Sequence, residues 1–399
     1  MYNILKSGNI TSVPGFLAGA VHAGIKTNSN LDLAILCCDT LCNVASVFTA
    51  NQIKAAPVIL SRKHLSNNMA QAIVVNSGCA NACLAEQGLT DAIKMANLTA
   101  EKLSINVEDV LVASTGLIGS PLPMNKIHSG IRDISIEKNG GHQLAMAIMT
   151  TDSNPKEVAV EVDEGDFKYR IGGVTKGSGM IHPNMATMLC FISTDALVDK
   201  DFLQIALSNA IDNSFNLIDV DGDTSTNDSV FLLASGSANR KCIDSPSGEE
   251  FQKALNEVCI RLAKLMVHDA EGVTKFIEVT VKGAISLSDA RHAARAICSS
   301  SLVKTAAYGN DPNWGRILVA MGMTEIELEE SRIDIYIDDI CVFMQGHPTA
   351  FDKEYLRVIM ANDEDLRIVV CLNIGTKEAT AWGSDLSEEY VRINSAYST

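Results

Sequence analysis

Lys176-Gly177-Ser178-Gly179-Met180-Ile181-His182-Pro183-Asn184-Met185-Ala186-Thr187-Met188-Leu189 reads KGSGMIHPNMATML. Two glycines, Pro183 and Asn184 let the segment bend sharply, and Ala186-Thr187 then enters an apolar run, Met188 to Ile192, with the pattern of a buried strand. Small neighbours leave the Ala186–Thr187 peptide bond open, and Lys176 lies eleven residues before Thr187. Attack of the Thr187 hydroxyl on the Ala186 carbonyl would turn the amide into an ester. Its hydrolysis would leave Thr187 as a chain terminus carrying a hydroxyl beside an amine, which is a nucleophile with its own base. The amine suits that task, because an α-amino group titrates near ~7.7–8.0 and a lysine only near ~10.4. On spacing alone, the same residues also fit a plain loop-to-strand junction.

Outward from this segment the pattern is mixed. Strands are expected at Ala72–Val75, Val110–Ala113, Val158–Val162, Leu189–Ser193, Val230–Ala234, Phe276–Val281, Ile333–Ile337, Ile368–Leu372 and Ala379–Trp382. Helices are expected at Thr90–Leu103, Asp201–Ile211, Glu249–Val267, Ser288–Cys298 and Lys353–Met360, the clearest being Glu249–Val267 with Phe251, Leu255, Val258, Leu262 and Leu265 on one stripe. Half-buried strands with long amphipathic helices point to helix layers covering packed sheets.

The composition narrows the partners. A formal charge of -16 over 399 residues leaves no basic excess for phosphates, so neither nucleic acid nor an anionic membrane is expected, and no apolar run reaches the ~18–20 residues of a membrane span. Eleven cysteines without a leading signal pattern suggest a reduced, cytoplasmic setting. The pairs Cys38/Cys42 and Cys79/Cys83 lack a second pair or suitably spaced histidines, so no metal is expected. Gly172 to Gly177 has the glycine spacing of a phosphate loop, but Ser178 stands where its lysine belongs. DVDGDTSTND (219–228) resembles a calcium loop only superficially, since Gly222 is misplaced and Val230 occupies the position of the bidentate glutamate; a structural turn network is expected instead. GNDPNWGR (309–316) also reads as a packed turn. Thr115-Gly116, after a strand, is either a strand-end turn or a pair of donors for a developing oxyanion. Lys176 by default is a solvated loop lysine.

KGSGMIHPNMATML closely resembles the processing segment of the ornithine acetyltransferases, the arginine biosynthesis bifunctional protein family. GVTKGSGM (173–180), STGLIG (114–119), MTTD (149–152), DVDGDTSTND, HDAEGVTKF (268–276), GNDPNWGRI (309–317) and the terminal INSAYST resemble that family's blocks in its order, from about residue 13 to the end. The resemblance implies an α+β protein, an α/β/β/α sandwich cleaved by itself between Ala186 and Thr187. The products would be an alpha chain, 1–186, and a beta chain, 187–399, folded as one unit and pairing further as a heterotetramer of two of each. It also implies roles: Thr187 as nucleophile, Thr115 and Gly116 as the oxyanion hole, and Thr150 or Thr151, Lys176, Glu271, Asn394 and Thr399 as substrate contacts. Lys176 would hold a carboxylate and Glu271 an ammonium. Ser398 and Cys79 depart from the family's usual residues, neither at a position with an assigned role.

The expected activity is transfer of acetyl from N2-acetylornithine to glutamate through an acetylated Thr187, with no cofactor and with acetyl-CoA as a possible further donor. Two other readings remain on the residues: an N-terminal-nucleophile amidohydrolase or aminopeptidase of related fold, and an unprocessed protein that binds an amino acid as a regulator.

Overall fold

The computed structural model describes residues 1–182, 188–238 and 241–396. Among them one mixed sheet of nine strands runs, in spatial order, Tyr2–Ile4, Lys156–Asp163, Lys168–Lys176, Leu189–Thr194, Ser229–Ala234, Leu33–Phe48, Met69–Asn76 and Val110–Ser114, with Phe16–Val21 also pairing to Leu33–Phe48. The sixteen-residue strand Leu33–Phe48 serves both halves. Its residues 43–48 pair with Ser229–Ala234, its residues 33–38 pair with Phe16–Val21, and its register against Met69–Asn76 breaks between Cys37 and Cys42. Asp39, Thr40 and Leu41 sit exposed at that break, where the polar pair interrupts an otherwise apolar strand.

The two halves face each other. Val174, Phe191, Phe231 and Leu233 from one share a core with Leu36, Ile73, Val75 and Leu111 from the other. Behind the second half, Val74, Val110 and Val112 pack with Leu60, Met95 and Ile127 of helices Ala56–His64, Ala85–Leu103 and Met124–Asp133. Behind the first, Val160, Cys190 and Val230 pack with Leu203 and Leu207 of helix Lys200–Asp212 and with Leu255, Val258 and Leu262 of helix Glu249–His268. Helix, sheet, sheet, helix is the expected α/β/β/α order. A second mixed sheet extends it: His347–Pro348, Ile340–Met344, Asp334–Ile337, Asp365–Cys371, Phe276–Ala284, Lys377–Ser384 and Ile218–Asp219, joined to the same core as helix Leu287–Ser299.

All nine expected strands and five expected helices are present, with bounds shifted by a few residues. GNDPNWGR is only partly a turn, because Trp314 opens helix Trp314–Gly322. The division at 186/187 lies outside the described residues. On its two sides, however, Lys168–Lys176 and Leu189–Thr194 are antiparallel neighbours, with Lys176 opposite Leu189. The two prospective chains therefore share a ladder and a core.

Candidate active site around the 176–188 segment

Lys176 ends its strand buried inside the protein, 3% exposed, not solvated on a loop. Burial pulls its ammonium below the ordinary lysine value, while the carboxylates of Asp152, Asp228 and Glu271 act in the opposite direction. Asp152 is the centre of the adjoining network. Its Oδ1 accepts Gly177 N–H at 2.8 Å and Lys156 Nζ at 2.6 Å, and its Oδ2 accepts Thr150 N–H at 2.9 Å. Burial alone would raise the Asp152 carboxyl, but Lys176, Lys156 and these hydrogen bonds outweigh it and hold the group well below the carboxylate range. Lys156 also reaches Asp269 at 2.6 Å.

Beyond Gly177 the described residues of the segment are tied down. Ser178 Oγ lies 2.7 Å from Thr151 Oγ1, and Ser178 O accepts Glu271 N–H at 2.9 Å. Gly179 lies flat against the Glu271 carboxylate; a Cβ there would meet Oε2 at 2.6 Å. Asn394, on helix Glu388–Ala396, donates from Nδ2 to that same Oε2 at 2.8 Å. Met180 and Ile181 donate to Asp221 at 2.6 and 2.9 Å, and His182 Nδ1 lies 2.8 Å from Asp219. Downstream, Met188 N–H donates to Asp228 Oδ1 at 3.0 Å.

Thr115 and Gly116 are brought to this place by the same loop. Asn227 Nδ2 donates to Ser114 O at 2.8 Å and to Ala80 O at 2.6 Å, while its neighbour Asp228 holds Met188. Gly116 has φ +124° and packs against Gly78 and Cys79 so closely that a Cβ would sit 2.4 Å from the Gly78 carbonyl carbon. Only glycine fits that turn.

The structure thus gathers Lys176, Glu271, Asn394, Thr151 and, through Asn227, the Thr115–Gly116 turn about one segment. The two threonines divide: Thr151 faces Ser178, whereas Thr150 lines a cavity of about 400 Å³ with Lys26, Met146, Met149 and Asp152. Ala186, Thr187 and Thr399 lie outside the described residues. DVDGDTSTND is a turn network, as expected, but its reach is not legible in the sequence: Asp219 and Asp221 hold the 176–188 segment on one flank and Asp228 on the other, while Asn227 holds the strand end before Thr115. Asp152, Lys156 and Asp269 were also missed. The one local signal was that MTTD ends in an acid, and nothing nearby indicates its partners.

The chain matches the ArgJ family over residues 17–399. It is 50% identical over 401 residues to the arginine biosynthesis bifunctional protein ArgJ of Dehalococcoides mccartyi, covering 100% of this chain and 99% of the relative. It is 47% identical over 399 residues to the protein of the same description from Symbiobacterium thermophilum, covering 98% and 99%. A crystal structure of the arginine biosynthesis bifunctional protein ArgJ of Bacillus halodurans shares 44% identity at a TM-score of 0.50, covering 51% of this chain and 97% of its own. Matched from residue 17 to its end and across the full length of such relatives, the chain belongs to the ArgJ family.

Proposed function

We propose that this protein is an acyltransferase of arginine biosynthesis that moves the acetyl group of N2-acetyl-L-ornithine to L-glutamate. The observation that carries the reading is the pairing of opposite charges around one segment. Buried Lys176 suits an α-carboxylate, and the Glu271 carboxylate, oriented by Asn394, suits an ammonium. Donor and acceptor are both amino acids, so one such pocket serves each in turn. Full-length relatives named as bifunctional proteins of this pathway support the reading, and acetyl-CoA is proposed as a second acetyl donor on that ground.

In this mechanism Thr187 attacks the acetyl carbonyl, its own amine taking the hydroxyl proton. The oxyanion is received by the Thr115–Gly116 turn, where each donor aimed at developing charge is worth roughly 2.7–4 kcal/mol of barrier. Ornithine leaves with the proton, glutamate enters, and its amine takes the acetyl group from the Thr187 ester. One amide is exchanged for another, so the step requires no cofactor. Thr187 acquires its amine by cleavage from Ala186, giving chains 1–186 and 187–399 that remain together and assemble as a heterotetramer. The solved Bacillus halodurans chain supports such a division, since it matches over 97% of its length yet spans 51% of this one.

The test is direct. Denaturing electrophoresis with mass analysis is expected to give two fragments, the second beginning at Thr187, and Thr187→Ala is expected to abolish cleavage and turnover together. A single intact chain with full transferase activity would refute the reading. Acetylornithine without glutamate is expected to leave one acetyl group on the Thr187 chain, and initial rates to give the parallel double-reciprocal lines of a ping-pong mechanism.

A further inference from the structure

In the reaction proposed above, on which this rests, one pocket serves two substrates whose side chains carry opposite charge. Acetylornithine brings a side-chain ammonium, which the Glu271 carboxylate suits. Glutamate brings a carboxylate in its place. With the α-carboxylate of each on Lys176, a glutamate side chain laid along the ornithine path would set two carboxylates against each other, and like charges at close range repel. The acceptor's side chain needs another receiver, one that carries a cation.

Lys26 supplies one at the opposite end of the 177–179 stretch. Glu271 meets that stretch at Ser178 and Gly179, whereas Asp152 meets it at Gly177, and the cavity of about 400 Å³ lined by Asp152 and Thr150 is also lined by Lys26. Such a volume lies within the ~300–1,000 Å³ of small-molecule sites. A fully buried carboxylate fixes the loop that bears Lys26: Asp32 accepts the N–H groups of Ala23, Ile25 and Lys26 at 2.6, 2.6 and 3.0 Å. The Lys26 stem lies on Gly78, where a Cβ would meet Lys26 Cγ at 3.1 Å, and Gly78 in turn backs Gly116. The cation is therefore anchored next to the Thr115–Gly116 turn. An ammonium has three N–H groups to donate. Among the described residues that of Lys26 has one acceptor, Leu31 O at 2.8 Å, so two N–H groups are available to a ligand.

We propose that Lys26 and the cavity it lines with Thr150 form the subsite for the side-chain carboxylate of the acceptor glutamate, which makes Lys26 a specificity-determining residue. The charges facing it are Asp32 on its own loop, with His22 3.6 Å from that carboxylate, and Asp152 and Lys176 from the network around the segment. Burial lowers the Lys26 ammonium to about 8, against the attraction of Asp32 and Asp152 and with the repulsion of Lys176. Below about pH 8 the subsite holds a cation; above it the charge is lost, and the preference for an anionic side chain goes with it.

The test compares kcat/KM for glutamate with that for glutamine, which has the same shape without the charge, using acetylornithine as donor. Lys26→Met keeps the stem on Gly78 and removes the charge; it is expected to lower the glutamate-to-glutamine ratio about tenfold or more, and Lys26→Arg to restore part of it. In wild type the ratio is expected to fall as pH rises through about 8, because kcat/KM reports groups of the enzyme before the acceptor binds. A folded Lys26→Met that slows both acceptors by the same factor shows a structural role and overturns the proposal. So does a wild-type ratio that stays level through that pH, a result that needs no variant to fold. If cleaved wild type transfers acetyl to neither acceptor, the underlying reading fails instead, and no ratio exists to be compared.

Discussion

At the scale of single residues, charge and sterics make opposite demands around the segment. Lys176 is buried among carboxylates, whose attraction opposes the downward pull of burial on its ammonium, and in the proposed reaction it holds the substrate carboxylate. Lys176→Ala is expected to raise KM for acetylornithine and glutamate alike, on the order of 2–5 kcal/mol in kcat/KM by analogy with buried charged pairs at interfaces. Steady-state kinetics on fully cleaved protein check this, and wild-type constants would mean the carboxylate binds elsewhere. Gly116 tests sterics. A methyl group at φ +124° and 2.4 Å from the Gly78 carbonyl carbon cannot be accommodated without moving the turn. Gly116→Ala is therefore expected to lower kcat by about 10²–10³-fold, the effect of losing one oxyanion donor. Loss of kcat with an unchanged melting temperature would assign the effect to the turn itself.

At the scale of elements, the Ser178–Gly179 turn and the Glu271 turn press together with no room for a side chain. Gly179→Ala would place a Cβ 2.6–2.8 Å from the Glu271 carboxyl atoms, forcing that carboxylate away from Asn394. The variant is expected to weaken substrate binding while leaving cleavage intact, and a wild-type KM would show that Glu271 does not orient substrate. The same kind of contact explains what the sequence left hidden. Lys168–Lys176 escapes a strand pattern because Gly172 and Gly173 interrupt it, and those glycines are packing devices: a Cβ would meet Asn9 O at 2.5 Å and Leu262 Cδ1 at 2.9 Å. Leu33–Phe48 is obscured by the polar break at Asp39 and Thr40, where the sheet folds over. Runs such as Ala72–Val75 and the stripe of Glu249–His268 were legible because burial on one face writes its own period. In the site, the motif residues could be read from the chain, but their organisers could not. Asp152 to Gly177 and Asp228 to Met188 are contacts across 25 and 40 positions, and a carboxylate carries no local mark of its distant partner.

At the scale of the whole molecule, cleavage would sever a chain whose two parts are interleaved. Lys168–Lys176 and Leu189–Thr194 lie on opposite sides of the cut but share a ladder, and buried Lys156 joins Asp152 on one side to Asp269 on the other at 2.6 Å each. Cleaved protein is therefore expected to elute as one species under native conditions and to separate only in denaturant. The buried ion pair gives this cohesion a pH dependence. Because the folded-state value of Asp152 is depressed, its contribution is complete above the unfolded carboxylate value of about 3.9 and is lost as pH falls through the lower folded value. Lys156→Met removes the cation shared by Asp152 and Asp269, leaving Lys176 as the main remaining cation acting on Asp152, so it is expected to destabilise by about 3–5 kcal/mol near neutrality. In strong acid, with Asp152 protonated in both proteins, the difference between variant and wild type should shrink toward zero. Thermal melts of both proteins across this range decide the matter: a destabilisation that is the same in acid as at neutral pH would show that Lys156 acts through packing and not through charge.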